Sequence, residues 1–133
     1  DSLPLETARL KGDSMTTTSR PKQRRESAIV EDLQRYFRLL KKDGHQIWWF
    51  KVHGGARQKA GIPDLCVVWY GRSVWLEVKR PGETPTRLQW QRIDEIREAG
   101  GVADVVESVP QAAAVLEAAR PQLLLATTPG AAQ

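Results

Sequence analysis

The chain has 133 residues, the length of a single ordinary domain, and its 20 Lys and Arg against 16 Asp and Glu give a formal charge of +4. This modest excess favours a polyanionic partner without requiring one. The single cysteine, Cys66, excludes an intramolecular disulfide and is typical of a reducing compartment. The apolar runs are far shorter than the ~20 residues of a membrane span, and the start of the chain lacks a signal-peptide pattern. We therefore expect a soluble, cytoplasmic protein.

Composition divides the chain into three parts. We expect residues 1–20 to be an N-terminal extension outside the fold. Residues 121–133 begin with a proline, continue into a weakly structured composition and are interpreted as a C-terminal tail. Residues 21–120 between them form the predicted domain.

The first half of this domain is predicted to begin with a helix. Apolar side chains at helical spacing indicate a helix over residues 22–42, and Gly44 ends it. Bulky aromatic and branched residues then predict a strand over residues 46–52. A polar, glycine-containing loop follows as far as Gly61. The tryptophans predicted to lie mostly in the core are Trp48, Trp49, Trp69 and Trp75.

A β-hairpin is predicted in the middle of the domain. Residues 65–70 and 74–79 are two apolar runs, and Gly71 with Arg72 suits a two-residue turn between them. Pro63 fits the entrance of the first strand, because it lacks a backbone donor.

The last third predicts a helix, a strand and a helix. Thr84 is the predicted N-cap of the first of these helices, with Pro85 in its first turn, and the helix runs to Ala99. Residues 102–106 predict a strand, and Ser108 is predicted to cap the last helix. The order α-β-β-β-α-β-α indicates a central sheet covered by helices, an α/β or α+β sandwich.

Three charged residues, Asp64, Glu77 and Lys79, lie in or beside the apolar strands of the hairpin, and their presence there calls for an explanation. Side chains alternate along a strand, so Glu77 and Lys79 share one face. With the predicted two-residue turn, Asp64 lies opposite Lys79 and on that same face. A three-residue turn would reverse Asp64 unless a bulge restored it.

Two helices are predicted to add polar groups on the core side. At ~100° per residue, Glu26 falls near the centre of the apolar face of the first helix, whereas Glu31 faces water. The same projection places Gln89 among the apolar side chains of the second helix. Trp90 points outward from that helix and is a candidate interface residue.

Two interpretations of these charges remain open. In the first, Glu77 and Lys79 form a partly buried ion pair and Asp64 caps a turn. In the second, the three charged residues form a metal site. Burying several carboxylates together is costly unless a cation neutralises them, and a hard divalent ion with oxygen ligands is the usual solution. Taken jointly, the pattern favours the metal site. Carboxylates with magnesium and a neighbouring lysine suit metal-assisted phosphodiester hydrolysis.

The motifs resemble those of a nuclease family. Pro63-Asp64 followed by Glu77-Val78-Lys79 resembles the PD-(D/E)xK signature, and residues 22–118 resemble the VRR-NUC family of virus-type replication and repair nucleases. The other matching segments are Glu26-Ser27, Gly61-Ile62, Arg80-Pro81, Thr84-Pro85 with Gln89, and Gly100-Gly101. The resemblance implies a restriction-endonuclease-like α/β core, with a mixed four-stranded sheet flanked by helices.

The resemblance also implies roles for single residues and a cofactor, Mg²⁺, which Mn²⁺ can replace. The implied metal ligands are Asp64, Glu77 and the backbone carbonyl of Val78. The implied catalytic residues are Lys79, Gln89 and Glu26, and Glu26 is also a candidate metal ligand.

Basic residues around these motifs are candidate nucleic-acid contacts or ordinary solvated side chains. They are Arg24, Arg25, His53, Arg57, Lys59 and Arg80.

The resemblance implies a structure-specific DNA endonuclease active in DNA repair or phage replication. Standalone members are similar to Holliday-junction resolvases, which makes a four-way junction the leading substrate and a homodimer the expected assembly. Symmetric nicking needs two sites, and one small domain supplies one. The alternatives are a flap- or end-processing repair nuclease, a restriction-type enzyme, and a catalytically silent nucleic-acid-binding domain.

Overall fold

A computed structural model describes residues 25–55 and 59–121. The candidate contacts Arg24 and Arg57 lie outside these residues. The elements are α1 (Glu26–Lys42), β1 (Ile47–Lys51), β2 (Leu65–Trp69), β3 (Arg72–Val78), α2 (Arg87–Glu98), β4 (Val102–Val106) and α3 (Val109–Ala119). The predicted order of elements is confirmed. No helix within the described ranges combines the length and the apolar character needed to cross a membrane.

The four strands form one mixed sheet in the order β1-β2-β3-β4. The β1–β2 and β2–β3 pairs are antiparallel, and β3 and β4 are parallel because α2 connects them. Helices α1 and α3 pack together and against one face of the sheet. Helix α2 lies on the other face, where Ile93 is buried and a Cβ added at Gly101 would meet Ile96 of α2 at 2.8 Å and Ser73 of β3 at 3.1 Å. The result is the α/β sheet flanked by helices that the sequence predicted.

The main core lies between the sheet and the α1–α3 pair. Phe37 of α1 is fully buried and its ring lies 5.6 Å from that of Trp49 in β1. Trp69 of β2 donates its indole N–H to the carbonyl of Leu116 in α3, at 2.8 Å. Both tryptophans therefore project from the same face, and these contacts fix the helices across the sheet.

The hairpin turn differs from the predicted one by a single residue. Trp69 pairs with Arg72, so the turn residues are Tyr70 and Gly71, with φ of 49° and 82°. Positive φ at both central positions is the requirement of the tight hairpin turn that matches strand twist. Contacts that sequence patterns do not show hold Tyr70 there: its hydroxyl lies 2.9 Å from Nδ1 of His45 and accepts a hydrogen bond from Arg120.

This shift corrects the predicted register of Asp64. Leu65 pairs with Leu76, and one further step places Asp64 opposite Glu77, so the prediction that Asp64 faces Lys79 is wrong. The predicted face is nevertheless right. Moving a two-residue turn by one residue changes the register by two, and side chains repeat every two residues along a strand.

Helix α2 begins two residues later than predicted. Thr86 is its N-cap, not Thr84, because the Thr86 hydroxyl accepts from the backbone N–H of Gln89 while the Gln89 side chain accepts from the backbone N–H of Thr86. This reciprocal pair is a capping box. Helix α1 also begins later than predicted, since Arg25 is its N-cap.

The tryptophan predictions hold unevenly. Trp69 is buried and Trp49 and Trp75 are partly buried, whereas Trp48 is 56% exposed, so its predicted place in the core is wrong. Trp48 lies on the face of β1 that points away from α1 and α3. Helix α2 packs on that face against β4, at the opposite edge of the sheet.

Candidate active site

The candidate residues meet at one end of the sheet, where β2 begins and β3 ends. Val52, just after β1, donates its backbone N–H to the carbonyl of Asp64 at 2.8 Å. Lys79, just after β3, donates its backbone N–H to the carbonyl of Val106 at 3.0 Å. These ladder bonds continue the sheet past its formal ends and hold the chain on which the charged side chains lie.

Asp64 is fixed by the neighbouring strand. Its Oδ2 accepts a hydrogen bond from the backbone N–H of Val78 at 2.7 Å. Partial burial raises the pKa of Asp64 above its ordinary value, while that N–H and the positive charge of Lys79 act in the opposite direction. The carboxylate is therefore held in one orientation beside Glu77.

Glu77 is the most unusual group in the described structure. It is 2% exposed, and its Oε1 is buried without a hydrogen-bond partner. Burial, followed by the nearby charge of Asp64, raises the pKa of Glu77 to about 7. A buried acceptor left without a partner costs about 1–3 kcal/mol, so natural proteins rarely keep one without a reason.

Lys79 connects Glu77 to the first helix. Its Nζ lies 3.5 Å from Oε2 of Glu77 and 3.9 Å from Oε2 of Glu26. Glu26 stands in the first turn of α1 and reaches the site, whereas Glu31 is exposed, as the helical projection indicated.

Glu26 contacts Lys79 and also interacts with Glu83. Burial raises the pKa of Glu26, and the charge of Lys79 opposes this effect. Within the described residues, 25–55 and 59–121, no three side chains of His, Cys, Asp or Glu come together as a group that could hold a metal ion. Glu26 is therefore not gathered with Asp64 and Glu77 as a third carboxylate, and its role as a metal ligand stays a prediction.

Gln89 is occupied by the helix cap. Its Oε1 accepts from the backbone N–H of Thr86 at 2.9 Å, so this oxygen already has a partner. The side-chain amide group is the part left for a water or a phosphate. The predicted positioning role of Gln89 stays a prediction and would use that amide group.

The basic candidates differ in their surroundings. Arg25, His53 and Lys59 are exposed. Arg80 forms an ion pair with Glu83, and Glu83 also interacts with Glu26. Sequence reasoning missed Glu83. The three-residue spacing of Arg80 and Glu83 was the available signal, but such a pair is informative only once the chain is known to turn there.

A cleft of about 250 Å³ opens beside Asp64. The residues that line it are Val52, Gly54, Gly55, Lys59, Ala60, Gly61, Ile62 and Asp64. At Gly61, φ is +82°, and an added Cβ would lie 2.9 Å from Cγ of Leu88 in α2. The cleft wall thus requires glycine there for both conformation and space.

The oxygen groups at this end of the sheet fit a hard divalent cation. Glu77 contributes a buried oxygen without a partner, and Asp64 contributes a carboxylate in a fixed orientation. Burial raises the pKa of both groups, and the charge of Asp64 raises the pKa of Glu77 further. A bound cation would offset that unfavourable charge. The donor set is made of oxygen only, which is the preference of Mg²⁺ and Mn²⁺.

Comparison with known proteins identifies the fold. Neither models of protein families nor curated proteins give a match. Among solved structures, one described as a "VRR_NUC domain" is 24% identical with a TM-score of 0.56, over 69% of this chain and 94% of that chain. Another, described as a "VRR_NUC domain protein", is 22% identical with a TM-score of 0.47, over 53% of this chain and 66% of that chain. The chain has the fold of the first of these nuclease-type domains, which confirms the predicted fold class.

Proposed function

We propose that this protein is a metal-dependent DNA endonuclease of the VRR-NUC family. The observation on which the proposal rests is the buried Glu77, which has an oxygen without a partner and lies beside Asp64 and Lys79 at one end of the sheet. The similarity of fold to a VRR_NUC domain supports it. A buried carboxylate beside a partly buried one, together with a lysine, is more readily explained by catalysis than by stability.

The metal would be Mg²⁺ or Mn²⁺. Asp64, Glu77 and the backbone carbonyl of Val78 would hold it. When bound, it would lower the pKa of a water molecule and offset charge on the phosphoryl oxygens.

The side chains around these ligands prepare the site. Lys79 would orient the attacking water and stabilise the negative charge that develops on the phosphate. Its ammonium lies between Glu77 and Glu26, so the first turn of α1 restrains the catalytic lysine. The backbone N–H of Val78 restrains Asp64 in the same way.

The proposed substrate is DNA, with a four-way junction first among the structures to test. The proposed location of the protein is the cytoplasm. Each chain contains one candidate site, and paired cuts in two strands need two. We therefore include a homodimer in the proposal. The exposed Arg25, His53 and Lys59 near the site would contact the phosphates.

Incubation of the purified protein with end-labelled junction, flap and plain duplex, in Mg²⁺ and in EDTA, tests the proposal. We expect cleavage in Mg²⁺ only, with the junction cut fastest. Lys79→Ala should lower the rate about 10²- to 10³-fold, because it removes the cation nearest the buried carboxylate. Lys42→Ala, an exposed lysine at the end of α1, is the matched control and should cut at the normal rate.

The remaining results are also informative. Faster cleavage of flaps or plain duplex than of the junction would leave the proposed metal site unchanged but would change the proposed substrate. Binding of these DNAs without cleavage in Mg²⁺, or in Mn²⁺ added in its place, would contradict the enzyme proposal and favour a silent binding domain.

A further inference from the structure

Helix α2 holds one wall of the cleft beside Asp64. The Arg92 side chain donates its Nε–H to the carbonyl of Ala60 at 2.9 Å. The next residue, Gly61, lies so close to α2 that a Cβ added to it would be 3.3 Å from Cγ of Arg92. Both Ala60 and Gly61 line the cleft. The position of this wall therefore depends on an arginine in the middle of α2.

Arg92 is itself held by Glu95. Its Nη1 lies 3.1 and 3.0 Å from the two carboxylate oxygens of Glu95, and the Arg92 side chain is only 15% exposed. A planar guanidinium can bind a carbonyl and a carboxylate at once in fixed directions, which a lysine ammonium does less well. The guanidinium of Arg92 is therefore occupied and mostly covered, so it is a poor direct contact for a DNA phosphate.

The same carboxylate also acts on Lys59. Hydrogen bonds from Gln91 and Arg92 lower the pKa of Glu95, and the positive charge of Lys59 lowers it further. Lys59 precedes Ala60 in the chain, is exposed and lines the cleft. Its backbone is thus restrained through the Ala60 carbonyl, and its ammonium is attracted by Glu95.

The other end of this segment depends on the sheet and not on α2. The carbonyl of Asp64 accepts the backbone N–H of Val52 at 2.8 Å, and the Asp64 carboxylate accepts that of Val78 at 2.7 Å. Pro63, directly before Asp64, is almost completely buried. We therefore expect that loss of the α2 contact displaces Lys59 and leaves Asp64 in place.

We propose that Arg92 is a positioning residue for DNA binding: together with Glu95 it places Lys59 in the cleft beside Asp64, where the ammonium meets a phosphate of the substrate. The inference rests on the proposed function, because it takes DNA as the substrate. Arg92 acts through Lys59 and does not itself contact the phosphate. Replacing Arg92 and replacing Lys59 should therefore weaken binding through one and the same contact.

Arg97 offers a matched control on the same helix. It also donates its Nε–H to a backbone carbonyl, that of Ala103 in β4, at 3.0 Å, and it forms an ion pair with Asp104 at 3.6 Å. Replacing either arginine by methionine removes one positive charge and one bond to a backbone carbonyl. Of the two arginines, only Arg92 bonds to a residue of the cleft.

The Kd of a fluorescein-labelled four-way junction, measured by anisotropy in EDTA, tests the proposal in a double-mutant cycle. We expect Lys59→Met and Arg92→Met each to raise this Kd roughly fivefold, the effect of losing about one phosphate contact. The double variant should bind no more weakly than Lys59→Met alone, because both changes remove the same contact. Arg97→Met should bind as the wild type does.

The salt dependence of binding is a second measurement. Lys59→Met and Arg92→Met should each reduce the slope of log Kd against log salt concentration by about one. Arg92→Lys retains the charge and is the second variant in case Arg92→Met does not fold, which circular dichroism melting verifies. It lacks the planar fork that binds two groups at once, so it should still raise Kd at least about twofold.

Three results would overturn the inference. The first is wild-type affinity in folded Arg92→Met or, if that variant does not fold, in Arg92→Lys. The second is a double variant whose loss of affinity is the product of the two single losses, since the two side chains would then act on DNA independently. The third is an equal loss in Arg97→Met, which would assign the effect to the charge or the stability of α2.

Failure of the proposed function would be seen separately. A wild type that binds the junction in EDTA but does not cut it in Mg²⁺ or Mn²⁺ would contradict the nuclease proposal, while the binding cycle would still decide the role of Arg92. A wild type that binds none of junction, flap and plain duplex would overturn both, because Lys59 would then have no phosphate to meet.

Discussion

The carboxyl group of Glu77 lies almost completely out of water, beside a second carboxylate and within 3.5 Å of a lysine. Its pKa of about 7, against 4.5 ordinarily, shows that burial and Asp64 outweigh the attraction of Lys79. In the metal-free protein this residue therefore lowers the free energy of unfolding at neutral and alkaline pH. The same arrangement becomes favourable once a cation neutralises the two carboxylates.

The stability of the metal-free protein should fall between about pH 4.5 and pH 7. Over this range the folded protein retains a proton on Glu77 that the unfolded chain has released, so raising the pH favours unfolding. The full effect is roughly 3 kcal/mol and is complete above pH 7. In EDTA, Glu77→Gln should remove most of this fall, as measured by urea unfolding at a series of pH values.

Glu31→Gln is the control for that measurement. Glu31 is exposed on α1, and its replacement should leave the pH profile as it is in the wild type. An unchanged fall of stability in Glu77→Gln would contradict the assignment of the buried proton.

At the scale of elements, the first turn of α1 and the loop before β2 position the site from opposite sides. Glu26 of α1 lies within 3.9 Å of the Lys79 ammonium, and Gly61 packs against Leu88 at the start of α2. Both contacts join elements that are distant in sequence. The position of Lys79, the proposed catalytic residue, therefore depends on how the helices pack on the sheet.

Glu26→Gln should lower the cleavage rate about tenfold, because a neutral side chain no longer restrains the Lys79 ammonium by charge. Single-turnover cleavage of the best substrate in Mg²⁺ measures it. Glu31→Gln, five residues along the same helix, should cut at the wild-type rate. A larger loss for Glu31→Gln than for Glu26→Gln would show that the helix presents a different face to the site.

Gly61→Ala should destabilise the protein more than Gly44→Ala. Both glycines have positive φ, which costs an alanine about 1–2 kcal/mol. At Gly44 an added Cβ meets nothing within 4 Å, whereas at Gly61 it lies 2.9 Å from Leu88 and adds about 1–3 kcal/mol of overpacking. Thermal unfolding of the two variants measures the difference, and equal losses would mean that Leu88 moves aside without strain.

At the scale of the whole molecule, an end of the sheet that holds two neighbouring carboxylates is combined with a well-packed core. Phe37, Leu33 and Leu76 are fully buried between the sheet and the α1–α3 pair. This core provides the stability that lets the domain keep the buried Glu77 close to the partly buried Asp64.

Mg²⁺ should raise the melting temperature of the protein, since a ligand that binds only the folded state stabilises it by ~2.7 kcal/mol at a free concentration of 100 Kd. Asp64→Asn removes a proposed ligand and should abolish most of this rise. Asp94→Asn, an exposed aspartate on α2, should retain it. Melting curves in EDTA and in increasing Mg²⁺ measure the effect without reference to cleavage, and an equal rise in both variants would contradict the proposed ligands.

Local patterns in the sequence determined the order of the elements and the side on which each charged residue lies. Alternation along a strand placed Asp64, Glu77 and Lys79 on one face, and helical spacing directed Glu26, not Glu31, inward. These conclusions are robust because each follows from a short-range period, and a turn displaced by one residue preserves the face. The fold class followed for the same reason.

Contacts between distant parts of the chain decided the rest. Tyr70 became a turn residue because His45 and Arg120 hold its hydroxyl, and this set the register that puts Asp64 opposite Glu77. Trp48 is exposed because α2 packs over β4 and leaves the β1 side of that face open. Periodicity specifies which side of an element is apolar, but only packing in three dimensions specifies which neighbour covers that side and which pairs of strands come into register.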